Sequence, residues 1–295
     1  MPSLKEVRIR IASVKSTQQI TSAMKMVAAS KLRKAQNAIL KMRPYAAKLK
    51  DILQNLSASI ESGDNNPYAS NRELNKVLVV VITSNRGLCG AFNSNILKAT
   101  VNHINTNYNS LLQAGNVDLM TIGRKGSEYF TKRAYKVVSS HDHLFDVLTY
   151  ENTSALATSI METFTSKQYD RVEIVYNQFK NAAVQQLVVE QFLPIEPPKS
   201  KAAESKNNTE FIFVPSKEEI VTELIPKSLK IQFYKSVLDS YASEHGARMT
   251  AMHQATDNAG TLIKELNLSY NKARQAAITK EILEIVSGAE ALKNK

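Results

Sequence analysis

Apolar residues recur every three or four positions through the first sixty residues of the chain. The series runs from Leu4 to Val14 and, after a polar interval that contains Gln18, resumes at Met24 and continues to Ile60. Alternating steps of three and four are typical of the seam of a coiled coil. The pattern predicts a long N-terminal helix over residues 1–62, with a kink at Pro44 because a mid-helix proline removes one backbone hydrogen bond.

The same rhythm returns near the C-terminus. Apolar and small residues recur from Ile231 to Ala277, and an adjacent stripe continues from Ile278 to Ala289. The last proline is Pro226, so about 60 residues can form one helix of roughly 90 Å. The pattern predicts a second long helix within residues 216–295, and its seam of alanine, threonine, methionine and tyrosine predicts a modestly stable pair.

Between these segments the period changes from helix to strand. Short β-branched runs predict strands at 77–83, 117–122, 135–139, 171–176 and 184–192, and helical spacing occupies 93–107, 124–133 and 152–167. Asn152 or Thr153 is the expected cap of the last of these helices. Alternating strands and helices predict a mostly parallel α/β domain over 73–193. Residues 194–215 follow as a polar, proline-rich linker or foot segment.

The positive charge is concentrated at the N-terminal end. Residues 1–60 hold 12 Lys and Arg against Glu6 and Asp51, which is ten of the chain's eleven net positive charges. Exposed helix faces normally carry pairs of both signs. This imbalance therefore predicts an acidic partner rather than a merely solvated face.

Composition excludes several classes of protein. Cys89 is the single cysteine among 295 residues, so the chain has no internal disulfide and no CxxC pair. The longest apolar run, residues 77–82, is far shorter than the ~20 residues of a membrane helix. The N-terminus has no secretory signal and no transit-like extension.

Residues 84–93 read SNRGLCGAFN, at the strand-to-helix junction where nucleotide-binding folds place a glycine loop. The spacing is neither GxGxxG nor GxxxxGK[ST], so a tight turn is the expected structure. His141 and His143 flank Asp142 but have no further Cys or His cluster to complete a metal site. Cys89 has no partner base. We therefore expect no catalytic residues, no cofactor and no metal.

Several longer segments resemble the gamma subunit of F-type ATP synthases. They are ITSAMKMVAASKLRKAQ at 20–36, the turn at 84–93, SEHGARMTAM at 243–252, ATDNAGTLIKEL at 255–266 and YNKARQAAITKEILEIVSGA at 270–289. The resemblance covers both predicted helices, their order and the α/β insertion between them, and it is of the bacterial type.

The resemblance implies that the two terminal helices form an antiparallel coiled coil beside a Rossmann-like α/β domain that binds no nucleotide. It also implies a central rotating shaft that couples proton flow to conformational change at the catalytic sites. The implied partners are the ring of three alpha and three beta subunits, the epsilon subunit and the membrane c-ring. Such a chain is not an enzyme alone, and it is peripheral to the membrane without inserting into it. With no transit-like extension, the expected location is the cytoplasmic face of a bacterial cell membrane.

The resemblance also suggests site residues, carried over by matching motif. Met24 and Lys25 match the place where the shaft meets an acidic loop of the beta subunit, and Arg274 and Gln275 match positions that hydrogen-bond a beta-subunit catch loop. Three further positions, which match residues coupled to the Met24 region, are Arg248, Thr279 and Glu281. In the foot segment, Phe211 and Phe213 are the expected contacts with the membrane ring. Many bacterial members carry an acidic residue where this chain has Val214.

Two alternatives remain open from the residues alone. A basic coiled coil that binds nucleic acid would suit the sequence pI of about 9.5, although Tyr45 is the single aromatic residue in residues 1–60. An α/β enzyme with helical arms would suit the predicted sheet, but it lacks a convergent set of acid, base and nucleophile. Salt-sensitive DNA binding would favour the first alternative, and turnover by the isolated chain would favour the second.

Overall fold

The computed structural model describes residues 3–59, 67–68, 72–182, 184–195 and 217–293. The chain divides into two compact units. We call residues 29–248 the sheet unit, and residues 1–28 with 249–295 the helix-pair unit. The helices are α1 (Leu4–Ser59), α2 (Phe92–Asn107), α3 (Asn109–Gln113), α4 (Arg124–Thr131), α5 (Tyr150–Thr165) and α6 (Lys217–Lys293). A short 3-10 turn covers Asp142–Phe145.

The sheet unit is built on five strands in the order β3-β2-β1-β4-β5. Strands β1 to β4 run parallel and β5 is antiparallel to β4, which confirms the predicted mostly parallel α/β architecture. In sequence order the strands are β1 (Val77–Ile82), β2 (Val117–Ile122), β3 (Val137–Ser140), β4 (Arg171–Phe179) and β5 (Gln185–Leu193).

The apolar core lies on both faces of this sheet. All six residues of β1 are fully buried, which explains why this strand reads as a continuous apolar run rather than an alternating one. One face packs α5 and the early part of α6, through residues such as Ile160 and Phe233. The other face packs α2 and α4, through residues such as Ile96 and Phe130.

Helix α5 begins earlier than the sequence pattern predicts. Its N-cap is Thr149, whose hydroxyl accepts a hydrogen bond from the backbone N–H of Asn152, so the expected cap at Asn152 or Thr153 is wrong. The side chain of Tyr150 packs edge-on against Tyr234 of α6, with ring centroids 5.7 Å apart. This contact lies within the extra residues at the start of the helix.

Helix α6 begins at Lys217 and contains Pro226 in its interior. Burial outweighs the lost hydrogen bond, because Leu229 and Phe233 immediately beyond the proline are buried against the sheet. Helix α1 likewise runs through Pro44 as one continuous helix. The predicted linker beyond residue 195, including Phe211, Phe213 and Val214, lies outside the described residues.

Several predicted seam residues are buried on each long helix. On α1 these include Val7, Ala28, Leu32, Ala35 and Ile39, and on α6 they include Leu238, Met252 and Ala259. Within the sheet unit, α6 is buried on more sides than one seam requires, since Phe233 and Val237 pack on the sheet. No helix in the described part of the chain combines the length and apolar character needed to cross a bilayer.

Candidate partner-binding surface

In the helix-pair unit, α1 and α6 run antiparallel. The guanidinium of Arg8 donates to the hydroxyl of Tyr270 over 2.8 Å, and the hydroxyls of Thr21 and Thr256 lie 2.8 Å apart. Because the partner number on α6 falls as the number on α1 rises, the two helices point in opposite directions. The structure thus shows the antiparallel pairing that the resemblance implied.

A polar layer interrupts the apolar seam of this pair. The amide of Gln18 donates to the backbone carbonyl of Thr256 over 3.5 Å, beside the Thr21–Thr256 contact. It also lies against Gly260, where an added Cβ would come within 3.1 Å of the Gln18 amide nitrogen. The polar interval of the sequence is therefore a matched set of side chains, and such a layer favours one alignment of the helices over others.

The end of α6 presents an apolar stripe to solvent. Five large apolar side chains near the C-terminal end of α6 are between 48% and 70% exposed, and we call them the terminal stripe. Tyr270 lies opposite Arg8, so the helix beyond about residue 275 extends past the start of α1 and has no α1 surface to pack on. A cluster of exposed large apolar residues on one helix end is typical of a protein interaction surface. The members are Ile278, Ile282, Leu283, Ile285 and Val286.

The exposed surface of α1 combines apolar and cationic side chains. Ile9, Ile20 and Val27 are exposed and lie at spacings of 11 and 7 residues, which places them along one side of the helix. Among the described side chains, no Lys or Arg of α1 forms an ion pair within the chain. By contrast, α6 pairs Lys280 with Glu284. The unpaired cations agree with the predicted acidic partner.

The predicted contact residues fall into separate places. Met24 and Lys25 are half-buried, one turn beyond Thr21, whereas Arg274 and Gln275 are exposed near the terminal stripe. Arg274 follows Thr256 by eighteen residues, which is about 27 Å of helix. The two pairs therefore do not touch each other.

Thr279 and Glu281 are exposed on α6 within the residues that carry the terminal stripe. The hydroxyl of Thr279 donates to the carbonyl of Gln275 over 3.0 Å, so this donor is already used within the helix. Since these residues lie even farther along α6 than Arg274, any coupling to Met24 does not run through direct contact.

Arg248 differs from all of these residues. It belongs to the sheet unit, its side chain is buried, and its guanidinium bonds to Glu244 and to the turn that follows β1. Sequence reasoning did not identify Glu244 as its partner. The four-residue spacing was a usable signal, but the same spacing is common in solvent-exposed pairs.

At the carboxyl edge of the sheet, the N-terminus of α4 is bonded to the chain's own groups. The first backbone N–H groups of α4 donate to Asn85 Oδ1, Ser84 O and Thr83 Oγ1 over 3.1, 3.1 and 2.8 Å. Gly123 has φ 102°, and a Cβ added at this position would lie only 2.2 Å from the carbonyl oxygen of Thr83. A phosphate at this helix N-terminus would find these donors already used.

The remaining candidate groups also have structural partners. Burial raises the pKa of the Cys89 thiol, which packs beside Ser84 and Asn93. Asp142 accepts from Ser140 over 2.8 Å and lies 3.7 Å from Arg124. Within the described ranges, no group of three or more His, Cys, Asp or Glu side chains is arranged to hold a metal ion.

Comparison with known proteins assigns the family. Residues 3–292 match the family model described as ATP synthase. The chain is 57% identical over 295 residues to the ATP synthase gamma chain of Cytophaga hutchinsonii, covering all of both chains. It is 58% identical over 292 residues to that of Flavobacterium johnsoniae, covering 99% of both.

The fold has matches among solved structures. One is a chain of the Euglena gracilis mitochondrial ATP synthase, from a structure described as OSCP/F1/c-ring in rotational state 3. The TM-score is 0.67 at 21% identity, with 98% of this chain and 94% of that chain covered. This likeness concerns the fold, whereas the bacterial relatives carry the assignment. The chain described here belongs to the ATP synthase gamma chain family.

Proposed function

We propose that this chain is the rotating central shaft of an F-type ATP synthase, which couples proton flow through the membrane ring to conformational change at the catalytic sites of the beta subunits. The observation that carries the proposal is the terminal stripe, since five large apolar side chains at the end of α6 have no cover within the described chain. The unpaired cations of α1 supply a second surface of different chemistry.

These two surfaces suit different parts of a rotary contact. Apolar contact is non-directional, so the terminal stripe can turn inside an apolar sleeve with little preference for one angle. Charged hydrogen bonds from Lys25 or Arg274 depend on direction and distance. A partner shifts a conformational equilibrium only through its different interactions with the states. The directional groups therefore distinguish the three catalytic sites.

The partners we propose are the alpha and beta subunits around the helix-pair unit, and the epsilon subunit and c-ring near the sheet unit. The chain would lie at the cytoplasmic face of a bacterial membrane without entering it. Phe211 and Phe213 remain proposed contacts with the c-ring. Membership of the family, together with relatives that align over the whole chain, disfavours the nucleic-acid-binding alternative.

We further propose that the chain has no catalytic activity alone. The observation behind this is the N-terminus of α4, whose first backbone N–H groups already donate to Asn85, Ser84 and Thr83. Calorimetric titration of the isolated chain with Mg-ATP should give no binding. Micromolar affinity would overturn this part of the proposal.

The shaft assignment is tested in the assembled enzyme with the double variant Arg274→Ala, Gln275→Ala. Both side chains are exposed on α6, so the helix pair should fold normally while multi-site ATP turnover falls at least severalfold. The matched control is Lys264→Ala, Asn267→Ala, which removes the same kinds of side chain from exposed positions on the same helix.

Turnover at the wild-type level in the first variant, with normal subunit stoichiometry, would refute the catch-loop contact. If enzyme assembled without this chain still pumped protons on adding ATP, the shaft assignment itself would be wrong.

A further inference from the structure

The turn that follows β1 holds an unusual residue. Leu88 has φ 64°, in the left-handed region that disfavours L-residues other than Asn, Asp and Gly, and its side chain is 65% exposed. The glycine at position 90 also has a positive φ, of 59°. A leucine held in this conformation, without burial of its own side chain, requires other groups to maintain the turn.

The outer carbonyls of this turn are held by helix α6. The guanidinium of Arg248 donates through Nη1 to the carbonyl of Gly87 and through Nη2 to the carbonyl of Arg86 over 3.2 Å. Nη2 also bonds to Glu244 Oε1 over 2.6 Å. Both charged residues are buried, and their side chains are 10% exposed in Arg248 and 9% exposed in Glu244.

The inner side of the turn is fixed by its own first and last residues. The hydroxyl of Ser84 donates to the carbonyl of Arg86 over 2.7 Å, and the backbone N–H of Ser84 donates to Asn93 Oδ1 over 3.0 Å. The amide nitrogen of Asn93 lies 3.3 Å from Cys89 Sγ, which is 1% exposed. The carbonyl of Arg86 is thus shared between Ser84 of the turn and Arg248 of α6.

We infer that Arg248, oriented by Glu244, is a positioning residue that fastens the turn at residues 84–93 to helix α6 and sets the outward placement of Leu88. If the turn moved away from α6, a buried guanidinium would lose two carbonyl partners without gaining water, which makes separation costly. The turn and this part of α6 therefore move together. This gives Arg248 a role inside the chain, in place of direct contact with a partner subunit.

Cys89 provides the measurement, because it is the chain's single cysteine and lies buried within the turn. A buried thiol reacts with iodoacetamide at a rate set by how often the turn opens. Labelling of the full-length chain is followed by peptide mass spectrometry at pH 8. We expect Arg248→Met to label at least about tenfold faster than wild type, since charged hydrogen bonds are lost. The control Lys235→Met removes an exposed cation from the same helix and should label at the wild-type rate.

Electrostatics alone would give the opposite result. The charge of Arg248 favours the Cys89 thiolate, so its removal makes the thiol less acidic and intrinsically slower to react. Faster labelling in Arg248→Met therefore reports opening of the turn. An unchanged or slower rate would overturn the inference.

Arg248→Lys separates the turn contacts from the ion pair within α6. Lysine can still pair with Glu244 but lacks the planar fork that reaches two carbonyls at once. We expect a labelling rate between those of wild type and Arg248→Met. If the lysine variant labels as slowly as wild type, the ion pair alone is sufficient and the assigned contacts are wrong. This variant also keeps the inference testable if Arg248→Met does not fold.

A second arm rests on the proposed function. In the assembled enzyme, proton pumping per ATP hydrolysed should fall in Arg248→Met and stay unchanged in Lys235→Met. Fast labelling with normal pumping would overturn the link between the turn and coupling. The labelling result in the isolated chain stands apart from this arm, so failure of the shaft assignment and failure of the Arg248 assignment are distinguishable.

Discussion

The sheet unit and the helix-pair unit bury their side chains to very different extents. In the sheet unit, β1 is buried on both faces and large residues such as Phe130, Ile160 and Phe233 have no exposed surface. Among the described residues of the helix-pair unit, the buried ones are Val7, Thr21, Ala28, Met252 and Ala259. Full burial of one large apolar side chain contributes about 1.5–3 kcal/mol. The sheet unit therefore has a core of its own, whereas the helix pair leaves much of its apolar surface for partners.

The charged groups follow the same division. Asp118 is buried in the sheet unit between Lys136 at 2.9 Å and Lys76 at 3.2 Å. Burial alone would raise the pKa of Asp118, but hydrogen bonds from Lys136, Tyr169 and Lys76 outweigh it and lower the pKa. Described cations of α1 such as Lys5, Lys15 and Lys25 have no such partner in the chain. Asp118 is thus neutralised within the sheet unit, whereas these three lysines of the helix-pair unit are left available.

The largest expected effect tests the difference in burial directly. Ile160→Ala in the sheet unit should destabilise the fold by about 2–5 kcal/mol, because it removes a fully buried side chain and leaves a cavity. Ile282→Ala in the terminal stripe should change the stability of the isolated chain by less than about 0.5 kcal/mol. Hydrogen exchange of β1 and β4 measures both. Equal losses of protection would contradict the comparison.

A pH dependence is expected from His245, whose ring nitrogens have no hydrogen-bond partner in the described structure. Burial lowers the pKa of His245 to about 3, and the charges of Lys31 and Arg248 act in the same direction. Unfolded histidine has a pKa of about 6.5. Below that pH the unfolded chain binds a proton that the folded chain excludes, so this stabilising contribution is full above pH 6.5 and is lost as the pH falls towards 3.

Between pH 6 and 4, the free energy of unfolding should therefore depend less steeply on pH in His245→Leu than in wild type, by up to about 1.4 kcal/mol per pH unit. Urea midpoints followed by circular dichroism at each pH give the comparison. Glu244 opposes the trend, since burial raises its pKa against the hydrogen bond from Arg248, but it is present in both proteins. His253→Leu, at an exposed position in the helix-pair unit, is the control. Identical slopes for wild type and His245→Leu would exclude His245 as the source.

Two glycines of α6 allow the same substitution in each unit. At Gly246 an added Cβ would come within 3.2 Å of the backbone of Ala182, whereas at Gly260 it would meet the flexible end of Gln18 at 3.1 Å. Alanine is favoured over glycine in a helix by about 1 kcal/mol. We expect Gly260→Ala to stabilise the chain by about 0.5–1 kcal/mol and Gly246→Ala to destabilise it. Melting temperatures of the two variants test this. A higher melting temperature for both would show that the backbone at Ala182 can shift at little cost.

The smallest effect concerns the polar layer. Thr256→Val removes the hydroxyl contact with Thr21 but leaves Thr21 bonded to the carbonyl of Gln18 over 3.0 Å. The stability of the chain should change by less than about 1 kcal/mol. Disulfide trapping between cysteines introduced at positions 8 and 270 reports the alignment of the two helices. This cross-link should form less selectively in chains that carry Thr256→Val than in chains that keep Thr256. A loss above 2 kcal/mol would mean that the layer is a main source of stability.

Much of this architecture could be predicted from sequence because the units have strong periodic signals. Strand β2 occupies Val117–Ile122, as predicted, because a short β-branched run bounded by turns has few other solutions. Pro226 lies inside α6 against the local preference of proline, because the packing of Leu229 and Phe233 on the sheet overrides that preference. The position of Arg248 was not predictable, since its partners at Arg86 and Gly87 are backbone carbonyls more than 160 residues away.

The polar layer at Gln18, Thr21 and Thr256 has a consequence for mechanical load. Two helices with a uniformly apolar seam can slip past each other by one turn, about 5.4 Å, and bury a similar area afterwards. In the helix-pair unit such a shift would move the Gln18 amide away from the small notch at Gly260 and towards larger side chains. Slippage under torsion would thus leave these polar groups in the seam without their hydrogen-bond partners. Torque applied to one helix is therefore transmitted to the other.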